Sequence, residues 1–248
     1  MTAKAQKRRQ RLTDPESQIR SVTDMLRRVW DDLVHLAHVD DVFWQVSAII
    51  RDNPDINVGD VFQDWIAHRY VDSITIGLRR LADRRSDSIS LWRVLQEMLS
   101  VASHLTRERY LGLHDKPVRN LAKKWWEKLV GTSETHVTRS VILAKQQELE
   151  DALTKVSAFA NQNVAHTAAK PTHPEMTFED VRRTIVAVFR LYRWCSLVLE
   201  SEDARSPVPT IQTNWLKVFR VPWIRPGIDV PKYQKLDELL REKGKGDG

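Results

Sequence analysis

The chain has 248 residues, 42% of them hydrophobic and 29% charged, with a formal net charge of +6. That balance excludes a low-complexity or fibrous polymer and predicts a globular protein. No apolar run is long enough to span a membrane, because even Val186 to Leu199 is broken by Arg190 and Arg193.

The basic residues are unevenly spread. Lys4, Lys7, Arg8, Arg9 and Arg11 open the chain without an acid among them, and the remainder carries 34 basic against 33 acidic residues. A solvated basic tail over 1–12 is expected, with the body of the protein close to neutral. The first residues lack the apolar centre of a secretory signal, so the cytoplasm is the expected location. The lone Cys195 rules out a disulfide framework and a thiolate metal cluster, and its apolar neighbours predict a buried, inert thiol.

Helical periodicity dominates from residue 13 onward. Thr13-Asp14-Pro15-Glu16 reads as a helix start, with Thr13 as the cap and Pro15 in the first turn. Ile19, Val22, Met25, Leu26, Val29, Leu33 and Leu36 then form one apolar stripe. The pattern continues, with a kink expected near His38 to Asp41, and stops before Asn53-Pro54. A second helix is predicted from Asp60 to about Leu81, and a shorter third one through Leu91, Leu95 and Leu99. Residues 104–136, with Gly112, Pro117 and Gly131, read as a looser connection holding a short helix around Trp125-Trp126. A long helix is predicted over about Val137 to Asn163, and a last one from Thr177-Phe178-Glu179-Asp180 to about Glu200. Beyond it, Pro207, Pro209, Pro222, Pro226 and Pro231 mark a wrapping extension. Trp215 and Trp223 are its expected anchors.

The fold class is therefore all-α, an antiparallel bundle of four to five main helices with a proline-punctuated C-terminal extension. Residues 13–226 make one helical domain, flanked by the tail at 1–12 and a flexible end at 227–248.

Common catalytic signatures are missing: there is no phosphate-binding glycine loop, no Gly-x-Ser-x-Gly elbow and no His-Glu-x-x-His. His35 and His38 have the spacing of metal ligands on a helix, but two histidines are most simply surface residues, and no metal or other cofactor is expected. Arg79, Arg80 and Asp83 allow two readings. One is a salt-bridged helix end, with Arg79 paired to Asp83. The other is an arginine pair that holds an anion, for which the guanidinium fork is suited. Finally, Asn161, Gln162, Asn163 and His166 gather at the close of a helix, where a purely structural interior has no use for them.

That last segment, with Asn161, Ala165 and His166, resembles the signature of the HEPN superfamily, whose motif places an arginine, a polar residue and a histidine near the end of a bundle helix. Two further stretches resemble its AbiU2-like, abortive-infection branch: Arg79-Arg80-Leu81-Ala82-Asp83 with Ser88-Ile89-Ser90-Leu91, and Trp215 to Trp223. The resemblance implies a metal-independent endoribonuclease in a phage-defence or toxin setting. His166 would act as general acid or base with Asn161 beside it, and Arg79 and Arg80 would bind phosphate. It also implies a homodimer, RNA as a partner, and an antitoxin-like protein that neutralises it. The chain departs from the motif at Ala160, where the family has arginine. A non-catalytic dimeric module binding RNA, a nucleotide or a partner protein is therefore the alternative, and Arg182 with Arg183 is a reserve pair for the missing charge. On an ideal helix Asn161 and His166 point about 140° apart, so a shared cleft needs a loosened helix end or a second subunit.

Overall fold

A computed structural model describes residues 14–59, 61–160, 176–204, 206–223 and 227. Contacts divide the chain into two compact units, one ending at Pro209 and one beginning at Thr210.

In the first unit the ordered elements among the described residues are helical, apart from one antiparallel bridge between Thr106 and His136. Helix α1 spans Pro15–Asp52, α2 Val61–Leu81, α3 Leu91–Val101, α4 Arg107–Gly112, α5 Arg119–Leu129, α6 Arg139–Phe159 and α7 Phe178–Glu200. None of them is long and apolar enough to cross a membrane.

Residue-to-residue contacts give the directions of the helices. Asp40 meets Tyr70, Leu36 faces Gly77 and Asp32 pairs with Arg80, so α2 runs back along α1. Lys155 meets Asp180, and Thr184 donates to the Ala152 carbonyl, so α7 returns along α6. Arg182 with Asp40, Tyr192 with Trp30, and Glu200 with Arg27 place α7 antiparallel to α1 as well. The shared core takes Leu26, Leu33 and Leu36 of α1, Ile74 and Leu78 of α2, and Leu95 and Met98 of α3. Leu149 and Leu153 of α6 and Val188 and Cys195 of α7 complete it, all essentially fully buried. Burial pushes the Cys195 thiol far above its ordinary range, so it remains protonated and inert.

Gly77 permits the closest α1–α2 approach: a methyl group added there would stand 2.5 Å from Leu36 Cδ2. The ends of the helices are set by local chemistry. Thr177 and Asp180 form a reciprocal capping box at α7, while Ser90, Thr106 and Thr138 cap α3, α4 and α6.

Two expectations are corrected. The cap of α1 is Asp14, whose carboxylate accepts from the Ser17 backbone at 3.1 Å, because the helix begins at Pro15 and leaves Thr13 one residue too early. As expected, helix α1 continues through His38 to Asp41, where Asp40 meets partners on α2 and α7. Residues 104–136 are not a loose connection. The short helix expected around Trp125-Trp126 is present as α5, and α4 and a short 3-10 turn at Lys116–Val118 precede it, with Tyr110 and Trp126 buried. The Trp126 indole donates to the Glu134 carbonyl at 2.9 Å, and Trp194 of α7 donates to Leu129 at 3.0 Å. Such bonds let the aromatic rings be buried without stranding their N–H groups.

In the second unit the 3-10 helix Trp215–Arg220 is organised around Phe219. Its ring lies 5.8 Å from Trp215 and 5.7 Å from Trp223, whose indole donates to the Val218 carbonyl.

Candidate functional site

Helix α2 buries Tyr70, Ile74, Leu78 and Leu81, a spacing that leaves Arg79 and Arg80 on the outer side of its last turn. The helix ends there because Ala82 and Asp83 donate to the carbonyls of Arg79 and Arg80 in a tightened final turn. Ser90, wholly buried, then locks the exit. Its hydroxyl donates to the Asp83 carbonyl at 2.5 Å and accepts the Arg93 amide at 3.0 Å, tying the start of α3 to the end of α2. The Asp83 and Ser90 of the sequence motif are therefore a structural clamp.

The clamp shapes a cleft of about 790 Å³. Arg79, Arg80, Arg84 and Arg85 stand on one side, Trp92 lies in it, and Glu150, Thr154 and Ser157 of α6 form the other side. Three of the four arginines already have carboxylate partners. Arg80 pairs with Asp32 at 3.2 Å, Arg84 with Glu150 at 2.7 Å, and Arg85 with Asp83 at 2.9 Å. Hydrogen bonds from the Arg85 side chain and backbone hold the Asp83 carboxyl below its usual range. Arg84 also lies 5.3 Å over the Trp92 ring, and the Trp92 indole donates to the same Glu150 oxygen at 3.2 Å.

Arg79 has no ion pair among the described residues and feels Asp83 only at longer range. The expected Arg79–Asp83 pair is thus replaced by Arg85–Asp83. With α2 ending at Leu81, residues 79 and 83 are no longer one helical turn apart. Surface pairs of this kind are worth about 0–1 kcal/mol, so an arriving dianion competes with them readily.

The other sequence candidates fall elsewhere. Asn161 and His166 lie outside the described residues. Ala160, where the family motif carries arginine, is described, and it is buried with 1% exposure. Arg182 and Arg183 line a different cleft, of about 560 Å³, between α1 and α7. There Arg182 pairs with Asp40 at 3.4 Å and lies over Trp44, while Arg183 pairs with Glu179. Asp40 also accepts from Tyr70 and Trp44, and burial together with this carboxylate pushes the Tyr70 phenol far up. His35 is exposed and His38 half-buried, with no group of three metal-binding side chains among the described residues.

Sequence reading missed Asp32, Trp92 and Glu150. Each comes from a helix other than α2, and only helix pairing brings them to the arginines. Set against models of known protein families, curated proteins and solved structures, the chain matches none.

Proposed function

We propose that this protein acts on RNA as a HEPN-like, metal-independent endoribonuclease, with phosphate held by Arg79 and Arg80 and proton transfer carried out by His166. The observation that carries the reading is the cleft: the arginines at the end of α2 share it with Ser157 of α6, four residues before Asn161 in the sequence. In the proposed reaction, neutral His166 takes the proton of a ribose 2′-hydroxyl, and that oxygen attacks the adjacent phosphorus. The 5′-oxygen leaves with a proton from an imidazolium, giving 2′,3′-cyclic phosphate and 5′-hydroxyl ends. Arg79, without a carboxylate partner among the described residues, supplies the fork that meets the charged phosphoryl oxygens, and Asn161 orients the imidazole.

One observation favours the second reading, a non-catalytic dimeric module that binds RNA, a nucleotide or a partner protein. The motif position holds Ala160, which is buried, so the chain carries no arginine there and the charge would have to come from α2. Loss of one such donor costs about 100- to 1000-fold in rate. Both readings carry the symmetric dimer, which light scattering tests directly.

Wild type and His166→Ala are incubated with mixed RNA in excess EDTA. Cleavage by the wild type alone, with cyclic phosphate ends, supports the nuclease. Binding of RNA without cleavage by either supports the module. Equal cleavage by both excludes His166 from the reaction.

A further inference from the structure

A second basic cleft lies in the part of the chain that reads as a loose connection. Backbone bonds from Arg107 to Thr135 (2.8 Å) and from Val137 to Leu105 (2.9 Å) clamp the start of α4 to the strand-like segment before α6. The resulting cleft, of about 910 Å³, is lined by Arg107 of α4, Arg119 of α5, and Thr135 and His136 of the clamp, with Ser103 at its edge. Arg119 uses its Nε on the His114 carbonyl at 3.3 Å, and His136 Nδ1 lies 3.3 Å from the Thr135 hydroxyl.

The charges here are not spent. Among the described residues neither Arg107 nor Arg119 has an ion pair, and Glu108 is the one carboxylate lining the cleft. Two guanidinium groups, an imidazole and two hydroxyls form a donor set that fits phosphoryl oxygens. The cleft is far larger than an inorganic phosphate and falls within the range that holds small organic ligands.

We infer that this cleft is a binding site for a phosphorylated small molecule of nucleotide size, held through its phosphates by Arg107, Arg119 and His136. It shares no residue with the cleft at Arg79 and Arg80, so its fate is independent of the nuclease reading.

Calorimetric titration with ADP, and with adenosine as the phosphate-free control, tests it on the full chain. Saturable ADP binding without adenosine binding is expected. Arg107→Gln or Arg119→Gln should each weaken it by roughly ten- to a hundredfold. Glu108→Gln, which removes the opposing charge, should tighten it, and Arg79→Gln should leave it unchanged. Thermal melting confirms that the variants fold; all the substituted side chains are at least partly exposed. Absence of saturable ADP binding overturns the inference, as does equal weakening by Arg79→Gln. Competition by a short RNA would assign the cleft to a polymer backbone and overturn the small-molecule ligand.

Discussion

The two basic clefts have similar residues and different electrostatics. At the end of α2, three of four arginines are neutralised by Asp32, Asp83 and Glu150, and Arg79 has no ion pair among the described residues. In the second cleft neither lining arginine, Arg107 or Arg119, has an ion pair among the described residues, and Glu108 is its one lining carboxylate. The clefts also differ in support. The first is lined by α2, α3 and α6 of the main bundle, whereas the second rests on short helices over the buried Trp126 and Tyr110. Counting arginines in a sequence therefore overstates the first site and misses the second, because the partner that cancels a charge comes from another helix.

The largest effect should come from removing the second cleft's support. Trp126→Ala deletes a fully buried ring and the bond to Glu134. It should lower unfolding free energy by about 3–5 kcal/mol in a denaturant titration, and abolish ADP binding before it affects RNA binding at the first cleft. Simultaneous loss of both would mean that the clefts are one cooperative unit.

Within the first cleft, the contrast between a free and a paired arginine is the next test. Arg79→Gln should weaken RNA binding about tenfold, whereas Arg80→Gln, whose charge is shared with Asp32, should cost only about two- to threefold. Filter binding at fixed salt reads both. Equal losses would show that the Asp32 pair opens on binding. Glu150→Gln sharpens the same point in the opposite direction. It frees Arg84 yet leaves an oxygen for the Trp92 indole, so anion affinity should rise severalfold for a stability change below about 1 kcal/mol.

The start of α7 serves as the control. The Asp180 carboxyl is held well below its ordinary range, first by Lys155 and then by the Thr177 amide and hydroxyl. A depressed carboxylate stabilises the fold above its unfolded pKa of about 3.9 and loses that contribution as pH falls toward the folded value. The melting temperatures of wild type and Asp180→Asn should therefore differ at neutral pH and converge in acid. Thr177→Ala should cost about 1 kcal/mol through the lost cap. Neither change should alter binding at the Arg79 or Arg107 clefts, which these residues do not line.

Much of the bundle was legible in the sequence, because its information is local. The stripe from Ile19 to Leu36 and the Thr177–Asp180 box each fix an element within a few turns of chain. Gly112, Pro117 and Gly131 misled for the same reason. They do punctuate the chain, but Pro117 sits inside a 3-10 turn and Gly131 (φ 137°) follows α5, so they delimit two short helices. Ala122, Trp126 and Val130 do share one helical face, but nothing local shows what they meet: the partners of Trp126 are the Glu134 carbonyl and the Tyr110 ring. The site was half legible. Arg79 and Arg80 line a cleft, whereas the carboxylates that meet its arginines, Asp32 at Arg80 and Glu150 at Arg84, lie 48 and 66 positions from them in the chain and carry no local signal.

The contact at Gly77 ties the history of two positions together. Alanine ordinarily favours a helix over glycine by about 1 kcal/mol, yet here a single methyl meets Leu36 at 2.5 Å. The sign of Gly77→Ala thus depends on what occupies position 36. It should be harmful beside leucine and beneficial beside alanine, so the order in which the two substitutions arise decides which path a drifting lineage can take. The two arginines that follow Gly77 by two and three residues would be carried along with it.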